Sequence, residues 1–201
     1  MSEVKYPVME VFYTLQGEGA WTGHAAHFIR LGGCDVGCVW CDVKESWDAS
    51  QFPQLTVSEI INPIRESKCK RVVITGGEPA MYDLAPLTRQ LKAGGFMVHI
   101  ETSGCYPLKG QFDWVCFSPK KFKAPITGFG GSANELKIII FNKSDLEWAE
   151  TFKNDCAADC KLYLQPEWSK KEAMNPLIVA YIKEHPYWQA SLQTHKYLDI
   201  P

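Results

Sequence analysis

Seven short apolar runs alternating with segments of helical periodicity are what most restricts the fold of this chain. Residues 10–14, 27–31, 71–75, 97–101, 115–118, 136–140 and 161–165 read as strands. Strands joined by helical crossovers specify an α/β fold with a mostly parallel sheet. Three helix starts carry a hydroxyl followed three residues later by a glutamate: Thr56 with Glu59, Ser144 with Glu147, and Ser169 with Glu172. Each reads as a capping box. A further helix is expected over 84–92, stopped by Gly94 and Gly95, and residues 121–132, rich in Gly and Lys, read as a mobile loop. With 201 residues, 46% of them hydrophobic, and no linker, the chain is expected to form a single domain over 1–201.

The charge balance excludes some partners. A net charge of -2 with mixed signs leaves no basic face for a phosphate backbone, so nucleic acid is not expected. The stretch from Met1 to Val8 lacks the apolar core of a signal peptide, and no apolar run approaches the roughly 18 residues of a membrane span. A cytoplasmic location is expected.

In folds of this kind ligands sit beyond the carboxyl ends of the strands. Five loops with chemical character fall there. They are the stretch Cys34-Asp35-Val36-Gly37-Cys38-Val39-Trp40-Cys41, then Gly76-Gly77-Glu78-Pro79, Thr102-Ser103-Gly104, Ser118-Pro119-Lys120 and Gln165-Pro166-Glu167. The first is the most specific. Three thiolates on one loop can hold a 4Fe-4S cluster by three of its irons, leaving the fourth to bind a small molecule. A structural zinc site wants four ligands, commonly in two pairs, and no partner pair has suitable spacing. The remaining Cys69, Cys105, Cys116, Cys156 and Cys160 are scattered, and the missing signal argues against disulfides. Cys156 and Cys160 have the spacing of half a metal site, but small reduced cysteines are the simpler reading.

Two further groups stand out. Gln16 and Glu18, set between Gly17 and Gly19, offer amide and carboxylate groups able to read the edge of a pterin-like ring. Arg30 is a costly charge in an apolar strand unless an anion meets it, and a substrate carboxylate would serve.

The cysteine triplet with Trp40 beside its last member, and Thr75-Gly76-Gly77-Glu78-Pro79, resemble the radical S-adenosylmethionine (SAM) superfamily. There the amino and carboxylate groups of SAM chelate the open iron. The backbone of the Gly-Gly-Glu-Pro segment accepts the SAM amine, where a side chain would block the approach. The loops Ser118-Pro119-Lys120 and Gln165-Pro166-Glu167 could then supply the groups that a ribose or adenine needs, with Glu101 and Ser103 adding ribose contacts.

Over nearly its whole length the chain resembles one family in particular. Leu15-Gln16-Gly17-Glu18-Gly19, Arg30, the triplet, residues 75–79, Glu101-Thr102-Ser103-Gly104 and Gln193-Thr194-His195-Lys196 recur in order in the 7-carboxy-7-deazaguanine synthases. The resemblance implies a homodimer with a shortened, incomplete (β/α) barrel. It implies a carbon–nitrogen lyase that converts 6-carboxy-5,6,7,8-tetrahydropterin to 7-carboxy-7-deazaguanine, on the way to queuosine or related deazapurines. An adenosyl radical from SAM abstracts the C6 hydrogen, the ring contracts, ammonia leaves and SAM is regenerated. No protein residue is then catalytic in its own right, and Arg30, Gln16 and Glu18 position the substrate.

Residue by residue, the resemblance assigns Cys34, Cys38 and Cys41 to the cluster. It assigns Gly77, Glu78, Ser118, Pro119, Lys120, Gln165, Pro166, Glu167 and Trp168 to SAM. Leu15, Gln16, Gly17, Arg30, Thr75 and Pro201 are assigned to substrate, the last through a C-terminal carboxylate that reaches the pocket. A flavodoxin or ferredoxin is the implied electron donor. Many members bind Mg2+ through a threonine two residues after the last cluster cysteine, and here Val43 stands there. Valine has no oxygen to give, so either other ligands and waters, with Asp42 nearby, hold the ion or the enzyme does without it. Weaker Mg2+ dependence than in threonine-bearing relatives is expected.

Two rival readings share some of these motifs. A glycyl-radical-activating enzyme has the cluster and the glycine turn, but it needs a groove for a peptide and gives no reason for Gln16, Glu18 and Arg30. An iron–sulfur electron carrier would cap all four irons with cysteine.

Overall fold

Strands buried on both faces need apolar residues at every position, and the sequence supplies them in short bursts. In the computed structural model, which describes residues 3–201, nine strands form one sheet. They are β1 (Lys5–Leu15), β2 (Ala25–Leu31), β3 (Gln54–Thr56), β4 (Arg71–Gly76), β5 (Met97–Thr102), β6 (Trp114–Phe117), β7 (Glu135–Ile140), β8 (Lys161–Pro166) and β9 (Gln189–Ala190). The order across the sheet is β3-β1-β2-β4-β5-β6-β7-β8-β9. β1 runs antiparallel to both β2 and β3, and from β2 to β9 every neighbouring pair is parallel. The edge strands β3 and β9 do not pair with each other, so the barrel stays open.

All seven expected strands are present. β1 begins earlier than its apolar core suggests and carries a register shift between Val8 and Glu10. β3 and β9, only three and two residues long, are additions. The helices are α1 (Val57–Ile61), α2 (Ala85–Ala93), α3 (Ser144–Lys153), α4 (Lys171–Glu184) and α5 (Thr194–Leu198). α2 buries Leu87 and Leu91 against the sheet, where Ile29, Ile74, Ile100, Leu136 and Ile138 are fully covered. Each such side chain contributes about 1.5–3 kcal/mol on burial. Trp188 is also fully buried and donates from Nε1 to Glu150 at 2.7 Å, so it belongs to the core.

Only one of the three capping boxes forms. At α1 the Glu59 amide donates to Thr56 Oγ1 at 3.2 Å and Thr56 N donates to Glu59 Oε2 at 2.8 Å. At α3, Ser144 lies inside the helix and donates its amide and hydroxyl to the Asn142 side chain. The Asp145 carboxylate meanwhile accepts from Phe141 N and Asn142 N. At Ser169 the nearer Glu167 carboxylate takes the amide and hydroxyl first, and α4 starts only at Lys171. A side chain two residues upstream, or one already inside the turn, outcompeted the spaced pair in both cases. Residues 121–132 connect β6 to β7 and end in a 3-10 turn, Phe129–Ser132, that buries Phe129. Among the described residues no helix is long and apolar enough to cross a membrane.

Candidate active site

Because β2 and β4 to β8 run parallel, their carboxyl ends open on the same side, and a cavity of about 670 Å³ lies there. Cys34, Cys38 and Cys41 line it together with Gly77, Glu78, Glu101, Ser103, Ser118, Lys120, Gln165, Pro166, Glu167 and Trp168. Leu15, Gln16, Gly17, Arg30, Thr75 and Pro201 complete the wall. Pro119 alone, of the residues singled out above, faces a smaller neighbouring cavity of about 230 Å³ that shares Trp40, Lys120 and Ile139 with the first.

The cysteine loop is fixed by main-chain bonds. Gly77 N donates to Leu31 O and Glu78 N to Gly33 O, both at 2.9 Å. Cys34 N donates to Trp47 O at 3.1 Å. A side chain on Gly77 would put its Cβ 2.2 Å from Gly33 O and 2.8 Å from Cys34 Cβ, so only glycine lets this turn press against the loop. Burial raises the Cys34 thiol, and nearby Glu78, Cys41 and Asp35 add to the rise despite a bond from the Val36 amide. Burial pushes Cys38 up to about 11, with Cys41 and Cys34 adding to it and the Lys120 charge opposing it. Such thiolates need a cationic partner to form.

Among the described residues no three Cys, His, Asp or Glu side chains converge on one point as a single-ion site would require. A 4Fe-4S cluster asks for something else, since each thiolate bonds a different iron and the sulfurs must surround a cube. Three soft donors around a roomy cavity, with no fourth cysteine lining it, fit that group. Mg2+ does not fit. Val43 lines the cavity with a hydrocarbon side chain, and the carboxylate of Asp42 is already paired with the Lys196 ammonium at 2.7 Å.

The Gly-Gly-Glu-Pro turn offers a ligand its backbone rather than its carboxylate. Glu78 is buried and accepts from Ala80 N at 3.0 Å, Thr102 Oγ1 at 2.6 Å, Ser103 N at 2.7 Å and Ser103 Oγ. That is all the acceptor capacity a carboxylate has. Glu78 and Ser103 therefore tie the loop after β4 to the end of β5. Gln165 Oε1 accepts from Ser191 Oγ at 2.6 Å, and the Glu167 carboxylate is spent on Ser169. Lys120 Nζ folds back onto the carbonyl and hydroxyl oxygens of Ser118.

On the opposite wall, Gln16 Nε2 donates to Glu101 Oε1 at 3.2 Å, and Glu18 N donates to Gln16 Oε1 at 3.2 Å. Arg30 donates from Nε to Glu10 at 2.6 Å and stacks on Phe12, with its guanidinium carbon 5.6 Å from the ring centre. That is the only protein bond of its guanidinium among the described residues, so its terminal nitrogens are free to meet an anion. The Gly17 carbonyl accepts from Thr194 N at 2.8 Å and Thr194 Oγ1 at 2.9 Å, which clamps α5 over the N-terminal turn. His195 then packs where a Gly17 side chain would be. Burial lowers the His195 pKa against the pull of Glu18, leaving the ring neutral at pH 7.

The residue that strand-end reasoning missed is Lys137. It is buried in β7, lines the cavity and reaches both Glu18 and Glu101. The signal was present, since Lys137 is the one charge between Leu136 and Ile140 and the same logic had singled out Arg30.

Residues 28–115 match the model of the radical SAM superfamily. The chain is 54% identical over 195 residues to the 7-carboxy-7-deazaguanine synthase of Flavobacterium psychrophilum, covering 97% of this chain and 92% of that protein. It is 53% identical over 197 residues to the 7-carboxy-7-deazaguanine synthase of a Synechocystis species, covering 98% and 94%. The crystal structure of QueE from Escherichia coli superposes with a TM-score of 0.83 at 32% identity, over 94% of this chain and 93% of that one.

Proposed function

The chain belongs to the 7-carboxy-7-deazaguanine synthase family of radical SAM enzymes, and from that premise we propose that its cavity binds 6-carboxy-5,6,7,8-tetrahydropterin beside SAM and converts it to 7-carboxy-7-deazaguanine. The enzyme is a lyase of queuosine biosynthesis. One observation carries the reading: three cluster cysteines, the glycine turn and the polar set from Gln16 to Arg30 wall one cavity in a chain similar to these synthases from end to end. Near end-to-end similarity to the synthases disfavours both the activating-enzyme and electron-carrier readings.

Cys34, Cys38 and Cys41 hold the 4Fe-4S cluster. The group formed by cluster and SAM supplies a 5'-deoxyadenosyl radical when both are bound. The backbone at Gly77 takes the SAM amine, while Glu101 and the strand ends at Ser118, Lys120, Gln165, Pro166, Glu167 and Trp168 take its nucleoside. Arg30 meets the substrate carboxylate with its free guanidinium nitrogens. Leu15, Gln16, Gly17, Thr75 and Pro201 shape the slot for the ring, and Gln16 and Glu18 set its donor and acceptor register. The protein's work is to hold the C6 hydrogen in line and to exclude other hydrogen donors. A flavodoxin or ferredoxin would serve as the electron donor, and the enzyme works in the cytoplasm as a homodimer.

Anaerobic reconstitution with iron and sulfide, then dithionite, SAM and the carboxypterin, tests the proposal. The expected product is 7-carboxy-7-deazaguanine without net SAM consumption. SAM cleavage that the pterin neither alters nor couples to product would overturn it.

A further inference from the structure

A buried lysine is expensive unless anions meet it, because the low dielectric penalises the ammonium. Lys137, with 5% of its side chain exposed, is met twice: Glu18 Oε2 lies at 2.7 Å and Glu101 Oε2 at 2.9 Å. The outer oxygens are held as well. Gln193 Nε2 donates to Glu18 Oε1 at 2.9 Å, and Gln16 Nε2 donates to Glu101 Oε1. One ammonium thus joins the turn after β1, the end of β5 and the segment before α5 across the cavity.

The surrounding titratable groups do not replace it. Glu135 and Cys116 lie close by, but burial raises both, and Glu135 is bonded to Ala20 N and Trp114 Nε1. Lys120, in the loop after β6, is turned back on Ser118, and His195 on α5 is neutral. Among the described residues, Glu18 and Glu101 are the two carboxylates that contact the Lys137 ammonium directly.

We infer that Lys137 is a positioning residue for the reaction, whose ammonium fixes Glu18 on the substrate side and Glu101 on the SAM side as one rigid pair of anions. This rests on the function proposed above. Burial alone would raise Glu18, yet the charge and hydrogen bond of Lys137, with the Gln193 bond and nearby His195, bring it down to about 2. Without the lysine, two like charges face each other in a buried site and one takes up a proton. The pair then titrates where the enzyme works.

Lys137→Met and Lys137→Arg test this in the reconstituted enzyme. Activity is read as kcat/KM for the carboxypterin between about pH 6 and 8, and binding of the pterin is read by calorimetry on the loaded but unreduced enzyme. Wild type should be flat in both over that range. Lys137→Met should lose about 10²-fold in kcat/KM at pH 7 and gain an acid limb in both readouts, as a misplaced pair of anions predicts. Lys137→Arg keeps the charge and should keep the flat profile, losing less than about tenfold. If Lys137→Met does not fold, the double variant Lys137→Met/Glu101→Gln removes the like-charge pair, and its pterin binding should be flat with pH. A soluble Lys137→Met with a flat profile overturns the inference. So does a Lys137→Arg that titrates, or a double variant that does. Failure of wild type to make product sinks the functional reading instead, which keeps the two outcomes apart.

Discussion

The two walls of the cavity are built on opposite terms. On the carboxylate side every charge has its partner inside the protein: Glu78 has four donors, Glu18 and Glu101 share Lys137, and Glu18 also holds Gln193. On the thiol side Cys34 and Cys38 are pushed up by burial, and the one cation that opposes the rise, Lys120 beside Cys38, does not offset it. One wall is complete when the chain folds and the other is finished only by what it binds. Substitutions on the thiol wall should therefore cost function without stability, and substitutions on the carboxylate wall should cost both.

The sharpest test of that contrast is Cys38→Ala. Turnover should vanish together with the iron and sulfide content, since three irons need three thiolates. The apoprotein should lose no more than about 1 kcal/mol, because the change trims one small side chain that makes no strong bond. Thermal unfolding of the apoprotein beside an iron assay reads both numbers, and a large drop in the apoprotein midpoint would break the comparison.

Glu78→Ala should behave the other way. It leaves the amides of Ala80 and Ser103 and two hydroxyls without their acceptor, a loss of about 3–4 kcal/mol. In a chain of this size that lowers the apoprotein midpoint by roughly 6–15 °C. An unchanged midpoint would show that the carboxylate wall is no more self-supporting than the thiol wall.

Acid titration of the apoprotein separates the walls more finely. Glu18 is lowered from 4.5 to about 2, against its own burial and chiefly by the Lys137 charge and bond. A depressed folded pKa adds stability that is fully present above about 4.5 and is lost as pH falls toward about 2. Its size corresponds to roughly 3 kcal/mol. Denaturant unfolding of wild type and Glu18→Gln should diverge at neutral pH and converge as pH falls through that window. A gap between them that stays constant with pH would place the stabilisation elsewhere.

This difference between the walls also explains what could be read in the sequence. The thiol wall is local, with three cysteines on one loop, so spacing alone identified its members. The strands were legible because parallel strands covered on both faces have no polar alternation to hide them. The carboxylate wall is assembled from residues far apart in sequence, with Lys137 119 positions after Glu18. Nothing local marks such a pair. Lys137 was visible only as a misfit in an apolar run, and Glu78 read as a ligand contact although its carboxylate is consumed by Ser103 and Thr102. The Ser144 and Ser169 caps failed for a related reason, since Asn142 and Glu167 reached the same amides from two residues away.

The smallest effect is expected where the two walls meet the C-terminal helix. A Mg2+ ion there would need oxygen ligands in near-octahedral array, but Val43 gives none and Asp42 is already balanced by Lys196. The Lys196 ammonium also lies 5.3 Å from the Trp168 ring centre, so the cation that this corner accommodates is held by the protein itself. Turnover in EDTA should then match turnover in millimolar Mg2+ to within about twofold. Stimulation of tenfold or more would mean that the pair between Asp42 and Lys196 opens to admit an ion. In that case Lys196→Met, which frees the carboxylate, should strengthen the response to Mg2+. If the protein's own cation suffices instead, the same variant should lose activity at every Mg2+ concentration alike.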